Sequence, residues 1–146
     1  EPVRGQMILF KTEPGRLNRI IMNNGNYIIP RKDGPIVAGS TLEYVGFDIS
    51  STDDAGRLLM SEAVSLVPFL AKTPVVSQWA GLRPGSADGT PTIDWHPQLD
   101  NLVICSGHFR NGVIIGLGSA RIAASLLQYR SLKYAGSSST NPYKIK

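Results

Sequence analysis

Apolar and polar residues alternate in short runs over the first third of the chain, and each run is closed by glycine, proline or asparagine. Gln6-Met-Ile-Leu-Phe10 stops at Glu13-Pro-Gly15, and Arg16-Leu-Asn-Arg-Ile-Ile-Met22 runs into Asn23-Asn-Gly-Asn26. The latter is a hairpin-turn composition, with residues tolerant of positive φ. Tyr27-Ile-Ile-Pro-Arg31 follows, then the turn Lys32-Asp-Gly34 and the run Ile36-Val-Ala-Gly-Ser-Thr41. Strands this short and closely spaced predict an antiparallel sheet. Pro30 cannot donate to a ladder, so its strand lies on an edge or ends there.

The spacing then becomes helical. Thr52 is a good N-cap, Asp53 and Asp54 load the first turn, Ala55, Leu59, Ala63 and Leu66 share a face, and Pro68 ends the helix. Pro74-Val-Val-Ser-Gln-Trp-Ala80 reads as a strand leading into the Gly/Pro-rich stretch Gly81-Leu-Arg-Pro-Gly-Ser-Ala-Asp-Gly89, which places Arg83 on a loop. Leu102-Val-Ile-Cys105 is a fully apolar strand of buried type. Gly107-His-Phe-Arg-Asn-Gly112 leads into a helix over Val113 to Tyr129, whose apolar residues lie almost all round and predict burial. The longest apolar run, Gly112-Val-Ile-Ile-Gly-Leu-Gly118, gives way to Ser119 and Arg121, well short of the ~20 residues of a membrane helix, so no membrane span is expected. Gly136-Ser-Ser-Ser-Thr140 is low in complexity, and 131–146 is expected to be a mobile basic tail.

At 146 residues, with 42% hydrophobic and 18% charged, the chain is globular in composition. The net charge of +4 invites a nucleic-acid reading, but its location does not. Arg121, Arg130, Lys133, Lys144 and Lys146 crowd the last helix and tail; without them 10 basic residues face 11 acidic ones. A nucleic-acid surface would show a basic face with interleaved aromatics, so no such partner is expected. The single Cys105 excludes an internal disulfide and fits a reducing, cytoplasmic setting. Glu1 is followed almost at once by a strand, which suggests a part of a longer chain.

Several chemistries drop out. His96, His108 and Cys105 have no metal-ligand spacing, and no G-x-S-x-G elbow is present. Gly116-Leu-Gly-Ser-Ala-Arg121 misses the third glycine of a dinucleotide fingerprint and lacks the later acidic residue. No side chain stands out as a catalytic acid or base.

Two segments rise above this background. In Trp79-Ala-Gly-Leu-Arg-Pro-Gly85, Arg83 sits on a constrained backbone; its guanidinium suits a carboxylate, or it simply shields Trp79 or pairs with Asp88. In Gly107-His-Phe-Arg-Asn-Gly112, backbone N–H groups at a helix start are free to meet an electron-rich ligand, with Arg110 and Asn111 as further donors. The plainer alternative is an ordinary strand–helix turn in which His108 is a structural hydrogen-bonder.

Together with Pro2-Val-Arg-Gly-Gln6, Tyr27-Ile-Ile-Pro-Arg-Lys-Asp-Gly34 and Gly39-Ser-Thr41, the two segments resemble, in order, the C-terminal half of the glycine oxidase and D-amino-acid oxidase family of FAD-dependent oxidoreductases. W-A-G-L-R-P-G and G-H-F-R-N-G point to the glycine oxidase branch, and the resemblance covers about residues 2 to 130. It implies that Arg83 binds the substrate carboxylate and that Tyr27 and Leu42 line the substrate pocket. It also implies that His108, Phe109, Arg110, Asn111, Gly112, Val113 and Ile114 lie along the flavin, Arg110 bordering the substrate as well. The implied reaction oxidises glycine or a small D-amino acid or secondary amine to the imine and then the 2-oxo acid, with O₂ reduced to H₂O₂, in a thiamine-synthesis setting.

The sequence departs from the family at Leu117, where a proline is usual, and at Pro91-Thr-Ile-Asp94, where P-x-I-G is common. No cysteine lies between Trp79 and Leu102, which implies non-covalent FAD. The G-x-G-x-x-G unit that binds the ADP half of FAD is absent from this sequence, so an N-terminal FAD-binding half is an expected partner and the fragment alone is expected to be inactive. Competing readings are an amino-acid dehydrogenase that uses a respiratory acceptor, and a non-catalytic binding domain with the oxidase fold. The expected fold is α+β: a substrate-binding domain over 1–100, with an antiparallel sheet and a packed helix, then a flavin-contacting strand and helix over 101–130. Apolar surface left open would favour a homo-oligomer.

Overall fold

The computed structural model describes residues 1–135, which form two compact units, 2–83 and 84–135 with Glu1. The boundary expected at 100/101 falls inside the second unit.

The first unit is built on a five-stranded sheet. Its strands are β1 (Pro2–Phe10), β2 (Ile21–Asn23), β3 (Asn26–Pro30), β4 (Ile36–Gly39) and β5 (Val75–Pro84), in the order β2-β3-β4-β1-β5. β2/β3, β3/β4 and β4/β1 pair antiparallel. The β2–β3 hairpin turns through Asn24 (φ 47°) and Gly25 (φ 84°), the positive-φ pair that its Asn-Gly sequence favours. β3 ends at Pro30, which pairs only with Ile36 of β4, so its missing N–H costs no bond to β2. The expected strand over 16–22 is reduced to its last residues. Gly15 (φ 79°) and the bond from Arg16 N to Glu13 O turn the chain, and Arg16 stacks on Phe69 at 4.9 Å.

Helix α1 (Asp53–Leu66) forms as its sequence directs. Thr52 Oγ1 accepts from Ala55 N at 3.3 Å, and Ala55, Leu59 and Ala63 recur every four residues on the buried face. That face meets Ile8, Phe10, Ile28, Ile36 and Ala38 of the sheet, with Val67 and Leu70 closing the core. Each large apolar side chain buried there contributes on the order of 1.5–3 kcal/mol. Pro68 ends the helix and opens a 3₁₀ turn, Pro68–Lys72.

In the second unit β6 (Thr92–Trp95) and β7 (Val103–Ser106) make an antiparallel hairpin, and α2 (Gly112–Ala135) packs on both strands. The burial expected of two elements is corrected here. β7 is not a buried strand: Val103 and Ile104 are half-buried and Cys105 and Ser106 exposed, because a two-stranded sheet with one covering helix leaves a face open. α2 buries only a narrow stripe that includes Ser119 and Leu126, while Val113, Ile114 and Leu117 are 99%, 82% and 78% exposed. Gly112–Tyr129 also has the length and mean hydropathy, 1.2, of a helix able to cross a membrane, since Ser119 and Arg121 alone do not offset its apolar residues. α2 runs through 131–135, which were expected to be tail; the rest of the expected tail, 136–146, lies outside the described residues.

Candidate functional site

Strand alternation divides the residues of the sheet between two faces. Ile8, Ala38 and Ile28 occupy one rung and face α1. The neighbouring rung, Met7–Gly39–Tyr27, therefore faces away from α1. Tyr27 crosses over Gly39 and donates its hydroxyl to Met7 Sδ at 3.4 Å. A Cβ on Gly39 would stand 2.7 Å from Met7 Cγ and 3.3 Å from the Tyr27 ring, so only glycine admits this crossing.

Arg83 belongs to the same face. It is in β5, not on a loop: Gly81 has open space around it and Pro84 is the last strand residue, so neither breaks the strand. The half-buried guanidinium lies where a Cβ of Gly5 would stand. Its Nη2 donates to Ser40 Oγ at 2.6 Å and its Nη1 to the Thr41 carbonyl at 3.3 Å. Two of its five N–H groups are used, and among the described residues no carboxylate forms an ion pair with it. Asp88 accepts instead from Thr90 N at 2.9 Å. Arg83 and Tyr27 thus flank the Gly39–Thr41 segment. Leu42, one residue on, is exposed and lines a separate cleft of about 410 Å³ along α1 with Asp54, Ala55 and Leu58.

The 40–52 segment is held by a buried polar cluster on the α1 side of β1. Arg4, 4% exposed, donates from Nη2 to Glu43 Oε2 and from Nη1 to Asp48 Oδ2, each at 2.5 Å. Fully buried Gln6 donates to Glu43 Oε1 at 2.9 Å and accepts from Thr52 N at 2.8 Å. The hydrogen bond that Arg4 donates to Glu43 raises the Arg4 pKa further against burial. Burial works against the Glu43 carboxylate, but the donors Thr41, Arg4 and Gln6 outweigh it and hold the group below its ordinary range. Asp48 is lowered mainly by the Ser50 backbone N–H.

The second unit carries the other predicted segment, between β7 and α2. Gly107 has φ 84°, and a Cβ there would come within 3.2 Å of Ser86 Cβ and 3.4 Å of Pro91 Cα. Phe109 is held at φ 49°, an outlier for a bulky residue, with its N–H donated to the Pro84 carbonyl at 2.9 Å. Arg110 is exposed, its guanidinium 5.6 Å from the Phe109 ring centroid. His108 Nε2 lies 2.8 Å from Ser119 Oγ, which pins the turn to α2. His96 Nδ1 accepts from Gln98 N and Leu99 N at 3.1 Å each, a structural turn, and no metal-binding cluster occurs among the described residues. The first helical bond of α2 runs from Ile115 N to Asn111 O at 3.0 Å, so the N–H groups of Gly112, Val113 and Ile114 have no intrahelical acceptor. Open N–H groups beside exposed apolar side chains suit a flat heteroaromatic ring that carries carbonyl oxygens. The buried Ser86 Oγ without a partner, next to Gly107, is a further donor in reserve.

Sequence reasoning missed Ser40, Gly5, Arg4, Gln6, Glu43 and Ser119 as contributors. The signal for two of them was present: Arg4 and Gln6 share the even positions of β1 with Ile8 and Phe10 and so fall on the core face, where polar residues need partners.

A family model described as FAD dependent oxidoreductase, the DAO family, matches residues 1–126. A glycine oxidase of Pseudomonas aeruginosa is 46% identical over 129 residues, which are 88% of this chain and 35% of that protein. The bifunctional protein ThiO/ThiG of Synechocystis sp. is 31% identical over 131 residues, 86% of this chain and 20% of its own length. The crystal structure of glycine oxidase from Geobacillus kaustophilus superposes with a TM-score of 0.80 at 28% identity, covering 88% of this chain and 35% of that one. The chain belongs to the DAO family of FAD dependent oxidoreductases and is similar to glycine oxidases. It spans about a third of the length of the glycine oxidases it matches.

Proposed function

We propose that the protein oxidises glycine or a small D-amino acid or secondary amine, with Arg83 as the carboxylate anchor. The observation that carries this reading is a half-buried guanidinium, fixed by Ser40 and Thr41 and lacking an ionic partner among the described residues. A carboxylate is the ligand whose two oxygens match the remaining N–H groups of such a fork. Tyr27, on the same sheet face, lines the pocket, whereas Leu42, expected beside it, lines the cleft along α1.

Non-covalent FAD is the cofactor of this reading, with residues 108–114 along its ring and its ADP half held by chain outside this sequence. When bound, it would supply the two-electron acceptor for the substrate α-C–H bond and the route of those electrons to O₂ as H₂O₂. The protein's own part is orientation: Arg83 fixes the carboxylate and so the direction of the α-C–H bond. The imine product takes up one water and gives the 2-oxo acid with release of ammonia, or of a primary amine where the substrate is a secondary one. The likeness to ThiO/ThiG favours a thiamine-synthesis setting, and the exposed, unpaired Cys105 favours a reducing cytoplasmic one.

The test is oxygen uptake and H₂O₂ release by the longer protein with glycine, sarcosine and D-alanine. Arg83→Ala is expected to weaken substrate binding by about 2–5 kcal/mol, on the order of 30-fold to several thousand-fold in KM. Oxidation of none of these amines, or an unchanged KM, would overturn the reading. Turnover with an artificial acceptor but without oxygen uptake would make the protein a dehydrogenase.

A further inference from the structure

We infer that Gly5 and Ser40 are positioning residues for the carboxylate site: together they fix where the Arg83 guanidinium can point. The inference rests on the reading of Arg83 given above. Gly5 is buried inside β1, at a backbone conformation that does not itself demand glycine. What demands it is Arg83, whose Cζ and both Nη atoms lie in the volume of the missing side chain. The Nη edge of the guanidinium is therefore seated against a strand backbone.

Ser40, 6% exposed, supplies the lateral stop by accepting from Nη2 at 2.6 Å, and the Thr41 carbonyl accepts from Nη1 at 3.3 Å. Neither acceptor can drift, because the residues on either side of Gly5 bind the same segment. Gln6 N donates to Thr41 Oγ1 at 2.8 Å and Thr41 N to Gln6 O at 3.3 Å. Arg4 N donates to Glu43 O at 2.9 Å and Glu43 N to Arg4 O at 3.0 Å. The Val3-Arg-Gly-Gln6 and Gly39-Ser-Thr41 segments thus make one socket. Its outer residues hold the 40–43 backbone, its glycine provides the seat, and Ser40 fixes the rotation of the fork. A fork with a fixed rotation recognises a two-oxygen anion at less entropic cost than one that must be ordered on binding.

The experiment compares Arg83→Ala, Ser40→Ala, Ser40→Thr and Gly5→Ala in the longer protein. Acetate binding by calorimetry is the carboxylate probe, and KM and kcat for glycine are recorded alongside. Ser40→Ala should raise the acetate Kd and the glycine KM together, about 10- to 100-fold, the effect of one charge-assisted hydrogen bond, with kcat within about twofold. Ser40→Thr, which keeps the hydroxyl, should restore both. Gly5→Ala should approach Arg83→Ala in both constants, since the Cβ evicts the guanidinium; if that variant does not fold, the Ser40 pair decides. Acetate Kd and KM unchanged in Ser40→Ala, while Arg83→Ala raises them, would overturn the socket and leave the carboxylate site standing. No effect of Arg83→Ala itself would remove both.

Discussion

Arg4 donates to a single oxygen of Glu43 from two of its nitrogens, Nε at 3.1 Å and Nη2 at 2.5 Å, beneath the start of α1. Removing the charge on Glu43 leaves a buried guanidinium with Asp48 as its remaining carboxylate. Glu43→Gln should therefore lower the unfolding free energy at neutral pH by about 1–3 kcal/mol. The Glu43 pKa is depressed in the folded state, so the unfolded state binds the proton first as the pH falls. The contribution is complete above the unfolded value of about 4.3 and is lost as pH drops through the folded pKa. Urea midpoints at neutral pH and in strong acid check this: the gap between wild type and variant should close in acid. A gap of constant size would assign the loss to packing.

Gly56 of α1 behaves unlike an ordinary helical glycine. A Cβ there would stand 2.6 Å from Gln78 Oε1, and Gln78 Nε2 bridges Thr52 O at 2.8 Å and Gln6 Oε1 at 3.1 Å. Replacing a mid-helix glycine by alanine normally stabilises by about 0.5–1 kcal/mol. Here Gly56→Ala should give no gain, or a loss, because it pushes Gln78 off both acceptors. In a Gln78→Ala background the same change should recover the full helix gain. Thermal melts of the four proteins measure the coupling, and additive effects would refute it.

The first unit was legible because its signals are local. Asn24-Gly25 sets its own hairpin, Thr52 its own cap, and Ala55, Leu59 and Ala63 their own face. Arg83 was readable as a candidate because Gly81 and Pro84 bracket it, but those same residues suggested a loop; that the strand continues depends on β1 beside it. Gly5 and Ser40 were not readable as a pair, since 35 positions separate them and only the sheet brings both to Arg83. α2 misled for the opposite reason. Its composition is that of a buried helix, but composition does not state which chain covers it, and Val113 and Ile114 are open here.

Gly107 carries two separate demands for glycine, a φ of 84° and a Cβ position 3.2 Å from Ser86. Gly107→Ala should cost about 1–2 kcal/mol through the backbone alone, with the contact adding to it. In the longer protein the same change should weaken FAD retention, measured as the fraction of flavin released on dilution. Loss of stability with unchanged flavin retention would mean that the turn is structural only.

The bonding of Ser119 predicts that His108 is a donor through Nε2. The Ser119 hydroxyl gives its single proton to the Ile115 carbonyl at 3.1 Å, so at the 2.8 Å contact it can only accept. ¹⁵N shifts of the imidazole report directly whether Nε2 carries the proton. Ser119→Ala removes the acceptor and leaves that N–H part-buried. The penalty for such a group, about 1–3 kcal/mol, exceeds the few tenths of a kcal/mol that alanine gains over serine in a helix. The variant should therefore melt lower than wild type, and its His108 ring should lose the fixed Nε2–H form. An Nδ1–H ring in the wild type, or a variant that melts higher, would mean that His108 does not hold the turn, and the start of α2 would owe its position to Phe109 and Pro84 alone.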